Sequence, residues 1–309
     1  MNFNRRQLNL WGIPQVEETI VPAMPYMGSK RKLANKILNA IYRTIGDFDR
    51  LYDLFGGGGA MSVAALRAGH EVFYNEKNQS VAELLRHIQS GGKLPDKWVT
   101  REEYKEKISG NDWFAGFLLC CWSFGQKYGS YLFGTDIEQL KRLAHNIVVD
   151  HNTDALQELN LLLNCELSMP KNRFEFKEKI ITITANRFDL EQLERLEQLE
   201  RLQQLESLQQ LESLNISCGD YDKINIKGNS AIYCDPPYAD TEKYNDGGFD
   251  SGAFWQWCRD NTNPVFISEY KAPKDFLIIA EFEHRSTLSS TNNAKITVEK
   301  LFWNGVKNK

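Results

Sequence analysis

The chain has 309 residues, 42% hydrophobic and 25% charged, an ordinary balance for a soluble globular protein and enough length for one large α/β domain with an insert. No apolar run approaches the roughly 18 residues of a membrane span, and the opening Met1-Asn2-Phe3-Asn4-Arg5-Arg6 lacks a signal-peptide core, so a cytoplasmic protein without membrane contact is expected. Net charge is −4, but residues 189–214 hold seven acids and two bases, a net of −5, so the remainder is +1 and compatible with a locally basic cleft.

The six cysteines (Cys120, Cys121, Cys165, Cys218, Cys234, Cys258) form no Cys-x-x-Cys pair, and the five histidines are scattered. Neither a zinc site nor a disulfide framework is expected, and no metal is required by any motif.

In chain order, Pro25 to Leu33 reads as a basic segment before a helix. Leu51 to Phe55 reads as a strand, Gly56 to Gly59 as a loop, Ala60 to Leu66 as a helix, and Glu71 to Asn75 as a second strand ending at Glu76. Glycines at Gly56 and Gly58 let a ligand approach the backbone at the strand tip. Glu76, about 20 residues past the loop, can take the hydroxyls of a ribose. A dinucleotide enzyme shares this layout. The chain lacks a spaced Gly-x-Gly-x-x-Gly start and a Gly-Lys-Ser/Thr loop, however, and Asp53 suits an α-amino group better than a pyrophosphate. That combination points to S-adenosylmethionine.

Ala231 to Cys234 reads as a buried strand, followed by Asp235-Pro236-Pro237-Tyr238. Asp-Pro also starts turns. As a site, Asp235 can accept a hydrogen bond from an amine, the prolines fix the backbone so that a carbonyl can aim at a ligand, and Tyr238 offers a face for a base. These parts suit an enzyme that grips a nucleobase by its exocyclic amine.

Leucines recur every third residue from Leu190 to Leu214. On an α-helix such a stripe lags by about 60° per step and winds around the axis, so no heptad coiled coil follows. The segment is expected to be a helical connector expanded on the surface, with self-association as the alternative; oligomeric state stays open.

Laid in order, these segments resemble the Dam-like, D12-class DNA adenine methyltransferases. Pro25-Tyr26-Met27-Gly28-Ser29-Lys30 is similar to their N-terminal motif and Asp53-Leu54-Phe55-Gly56-Gly57-Gly58 to their glycine loop. Tyr74-Asn75-Glu76 resembles their ribose strand, Gly219-Asp220-Tyr221 their adenine-bordering turn, and Asp235 to Tyr238 their catalytic motif. Val265 to Tyr270 resembles the strand that follows, and Ser123 to Gly134 resembles phage-type members.

The resemblance implies a doubly wound, mostly parallel α/β sheet of the Rossmann-like methyltransferase type, formed by residues 1–83 and 188–309. A mainly helical target-recognition domain, 84–187, is inserted, and 190–214 is the connector. Tyr26 and Lys30 would close over the methionine end of the cofactor, and Asp220 with Tyr221 would border its adenine. Phe55 would belong to the cofactor loop, and Asp235, Pro236, Pro237 and Tyr238 would act on the target. Double-stranded DNA is the implied partner, with phosphate contacts expected from Arg31, Lys127, Lys171 and Arg173. The implied reaction is direct methyl transfer to the N6 amine of a flipped-out adenine. Cys234 precedes the motif inside a strand, which disfavours a cytosine ring-carbon mechanism. The alternatives are a catalytically silent DNA-binding protein, or an enzyme acting on RNA or another amine.

Overall fold

A computed structural model describes residues 7–10, 12–184, 196–209, 214–237, 249–285 and 296–307. The described elements begin with the short pair β1 (Gln7–Leu8) and β2 (Pro14–Gln15), then α1 (Ala34–Ile45), β3 (Arg50–Asp53), α2 (Ala60–Arg67), β4 (Glu71–Glu76) and α3 (Gln79–Gln89). Helices α4 (Arg101–Lys107), α5 (Trp113–Cys121), α6 (Glu138–Asp150), α7 (Thr153–Leu163), α8 (Arg173–Thr184) and α9 (Glu197–Glu206) follow. The chain then forms β5 (Asn215–Cys218), β6 (Ser230–Cys234), α10 (Ser251–Asp260), β7 (Val265–Glu269), β8 (Leu277–Arg285) and β9 (Ile296–Trp303).

Seven strands make one sheet in the order β5-β4-β3-β6-β7-β9-β8. The first five are mutually parallel, and β9 runs antiparallel to both of its neighbours. From β3 the chain moves outward through β4 to β5, then crosses back to β6 on the other side of β3. The carboxyl ends of β3 and β6 therefore flank the switch point, where such sheets leave a crevice for ligands.

Alternation along the strands divides the core. Leu51, Ala231, Tyr233 and Phe266 face one apolar cluster, shared with Ile37 and Ile41 of α1, Val63 of α2 and Leu84 of α3. Tyr52, Ile232, Cys234, Val265 and Ile267 face the other, covered by Phe254 and Cys258 of α10. With both faces covered, the strands read as unbroken apolar runs.

The first cluster continues through Phe117, Leu118 and Trp122 into the inserted helices, reaching Leu143 and Leu159. Helix α5 lies so close to α3 that a Cβ on Gly116 would sit 2.1 Å from the Ser80 carbonyl oxygen. The boundary expected between residues 83 and 84 thus falls inside α3, and the boundary at 188 lies outside the described residues.

The leucine repeat is not a surface expansion where it is described. Leu196, Leu199, Leu202, Leu205 and Leu208 are buried in the main core. From Leu199 to Leu205 the stripe turns through about 120°, so α9 buries its leucines only by being packed on more than one side. Polar groups fix its register. Lys141 Nζ of α6 meets Glu197 Oε2 at 2.9 Å, and Arg201 Nη1 donates to the carbonyls of Cys120 (3.3 Å), Cys121 (3.4 Å) and Ser123 (2.9 Å). These carbonyls end α5 or follow it, where acceptors lack helical partners and a cation is favoured. Among the described residues, no helix is long and apolar enough to cross a membrane.

Candidate active site

Asp53 is the last residue of β3 and is 2% exposed. Its Oδ2 accepts hydrogen bonds from Ser62 N (3.1 Å) and Ser62 Oγ (2.8 Å), in the first turn of α2. Burial pushes its pKa up to about 7; Ser62 pulls it down, and the charges of Asp235 and Glu76 add to the rise.

Two glycines of the loop that follows, Gly56 and Gly58, are too crowded for side chains. A Cβ on Gly56 would lie 2.1 Å from the Tyr74 ring, and one on Gly58 would lie 2.8 Å from the Met24 carbonyl oxygen. Gly57 has φ 46° and abuts the Tyr26 ring. Its N–H donates to Glu76 Oε2 at 2.8 Å, and its carbonyl accepts from Tyr74 OH at 2.8 Å. Asn78 N donates to Glu76 Oε1 at 2.8 Å, so Glu76, at the end of β4, is oriented by backbone from both sides.

Asp235 directly follows β6 and is 21% exposed. Lys30 Nζ reaches its Oδ2 at 2.8 Å and reaches Glu299 Oε1 of β9 at 3.3 Å. The same ammonium donates to the Gly28 carbonyl at 3.2 Å. Lys30 and Glu299 are both buried. Burial pushes the Glu299 carboxyl above its ordinary range, with Lys30 opposing the rise and Asp235 adding to it. Pro236 is buried and Pro237 half-buried beside Asp235, whereas Tyr238 lies outside the described residues.

Sequence reading missed Glu299. Its signal was faint but present: it shares strand parity with Leu301 and Trp303, both of which point into the core. An acid at an inward position is the anomaly that marks it.

Phe55 stacks on Tyr221 with ring centroids 5.3 Å apart, and Phe254 meets both edge-on at 5.6 and 5.4 Å. Asp220 is exposed and pairs with Lys77 at 3.0 Å, while the neighbouring Gly219 carbonyl accepts from Asn75 Nδ2 at 2.9 Å. Gln126 also went unforeseen. In a left-handed turn (φ 52°), it grips the backbone on both sides of Tyr26, donating to the Pro25 carbonyl at 2.5 Å and accepting from Met27 N–H. The inserted segment is thereby tied to the N-terminal motif.

The expected phosphate ligands lie on separate elements. Arg31 follows Lys30 and donates Nε to the Val21 carbonyl at 3.2 Å. Lys127 is exposed beside Gln126. Lys171 and Arg173 flank the start of α8, with the Arg173 guanidinium 4.7 Å over the Phe174 ring. Among the described residues, no group of three or more His, Cys, Asp or Glu side chains is arranged to hold a metal.

Residues 26–114 match the family model described as D12 class N6 adenine-specific DNA methyltransferase. The D12 resemblance holds over that segment. It includes Tyr26, Lys30, Asp53, the glycine loop and Glu76, and it supports DNA methyltransferase activity; Asp220, Asp235 and Glu299 lie beyond it. Among solved structures, the chain is similar to an rRNA methyltransferase, aviRa from Streptomyces viridochromogenes, at 13% identity and a TM-score of 0.36, covering 90% of this chain and 86% of that one. No curated protein matched the sequence.

Proposed function

We propose that the chain is a site-specific DNA adenine-N6 methyltransferase that uses S-adenosylmethionine and acts on an adenine turned out of the duplex. One observation carries this reading. Glu76, Asp53 and Asp235 stand at the carboxyl ends of three adjacent parallel strands, β4, β3 and β6, beside a glycine loop whose Gly56 and Gly58 pack too tightly on Tyr74 and Met24 for a side chain.

The residues fit that cofactor. A desolvated carboxylate such as Asp53, with its pKa near 7, gains from an ammonium placed beside it. The bare backbone from Gly56 to Gly58 would permit close approach, and Glu76, at the end of β4, is the acid we assign to the ribose hydroxyls. The cofactor supplies a methyl group on a positively charged sulfur.

Asp235 and the carbonyl of Pro236 are the acceptors for the two N–H bonds of the adenine amine. Holding both bonds draws the nitrogen away from conjugation with the ring and aims its lone pair at the methyl. The chain contributes alignment and electrostatics, with no covalent intermediate. Tyr238 stacks on the base. Residues 84–187 read the target, and Lys and Arg side chains including Arg31, Lys127, Lys171 and Arg173 meet phosphates.

The test is transfer of isotope-labelled methyl from S-adenosylmethionine to unmethylated duplex DNA, followed by nucleoside mass spectrometry. Label in N6-methyladenine is the expected result. DNA that is bound but never labelled would leave a silent binding protein. Label confined to RNA or to cytosine would move the activity to another substrate.

A further inference from the structure

We propose that Glu299 is a positioning residue of this site: it holds the Lys30 ammonium as a second counter-ion, so that Asp235 can turn from Lys30 to the substrate amine. The proposal rests on the reading of Asp235 as the amine acceptor.

In the structure one ammonium is shared by two carboxylates, at 2.8 Å from Asp235 and 3.3 Å from Glu299. A buried Lys30–Asp235 pair standing alone would resist any neutral donor, because releasing Asp235 would leave a buried cation without a counter-charge. With Glu299 present, the ammonium slides toward one acid as the other is engaged.

The two acids are placed for this division of work. Asp235 stands at the open end of β6 and is 21% exposed. Glu299 lies within β9, paired with Phe282 of β8, and is 3% exposed. One acid faces the crevice and the other is anchored inside the sheet. Among the described residues, the titratable groups facing Glu299 include Lys30, Asp235, and Tyr270 after β7, with Glu269 one residue before Tyr270, and the Ser268 hydroxyl of β7 also bonds to it. Lys300, the next residue of β9, is engaged by Glu281 at 3.1 Å. An apolar residue at this inward parity would suit the core better than an acid, which is the mark of a group kept for use.

Glu299→Gln keeps the volume and removes the charge. The expected kinetic result is a fall in kcat of about tenfold or more, the worth of one charge-assisted contact, with KM for DNA and cofactor within about twofold. An unchanged kcat, or a loss seen only in KM, overturns the proposal. A second readout uses the whole protein without DNA or cofactor. In lysine-selective 15N NMR, the Lys30 ammonium signal should shift and its protons should exchange faster with water in the variant. An unchanged Lys30 signal also overturns the proposal. If the glutamine variant does not fold, Glu299→Asp, which keeps the charge but is one methylene short, should give an intermediate effect on both readouts. Wild-type protein that transfers no methyl to DNA sinks the methyltransferase reading instead, and the NMR comparison still decides whether Glu299 holds Lys30.

Discussion

Replacing Asp53 with asparagine keeps the side-chain shape and removes a carboxylate that folding forces out of water. Burial moves its pKa from the ordinary 3.8 to about 7. The folded protein therefore holds this proton more tightly than the unfolded chain does. Asp53 contributes no penalty below pH ~4, costs progressively more stability as pH rises from ~4 to ~7, and costs a constant amount above that. About three units at ~1.4 kcal/mol each give roughly 4 kcal/mol at full ionisation. Asp53→Asn lacks this dependence, so its stability advantage over wild type should grow by roughly 3 kcal/mol between pH 5 and pH 8. Urea denaturation of both proteins at several pH values, without cofactor, measures that difference, and other titrating groups cancel in it. A difference that stays flat with pH would refute the reasoning. Calorimetry should show the opposite sign for function: the stabler variant loses cofactor affinity. Wild-type affinity should weaken by up to about tenfold per unit as pH falls below 7, because the ammonium of the ligand needs an ionised Asp53.

Asp235→Asn should lower methyl transfer by at least about a hundredfold while leaving cofactor affinity within a few-fold, since it loses an interaction made with the reacting amine; transfer at the wild-type rate would remove it from the chemistry. Leu205→Ala, at a fully buried position of α9, should cost about 2–5 kcal/mol by denaturant titration; an unchanged midpoint would mean that the repeat does not dock. Removing the charges of Lys171 and Arg173 together should flatten the plot of log DNA affinity against log salt by about 1.8. An unaltered slope would place the phosphate contacts elsewhere.

The glycine loop and the acids at the strand ends were legible because each is a contiguous string whose chemistry depends on neighbours a few residues away. Short apolar runs bounded by glycines and turn residues located β3, β4 and β6 to within a residue or two. The grouping of Lys30, Asp235 and Glu299 was not legible, since it is created by the sheet order that brings the end of β6 and the middle of β9 to one N-terminal lysine. The Gln126 grip on the Tyr26 backbone was hidden for the same reason. The repeat misled for a different one. A period of three matches neither face of a helix, so the pattern was silent about which side would be covered. Packing against α5 and α6 answered by covering more than one.

The dock around Arg201 has a consequence for how this gene can change. Leu196 to Arg201 is an exact copy of Leu190 to Arg195. Every contact made by Glu197 and Arg201 is therefore encoded twice in succession. Replication slippage that drops one unit yields the same protein whichever copy is lost, and the surviving copy supplies the same acid and the same arginine to the same partners. A chain one unit shorter or longer at Leu190 to Arg195, which lies outside the described residues, would thus stay in frame and keep the identity of the anchoring residues.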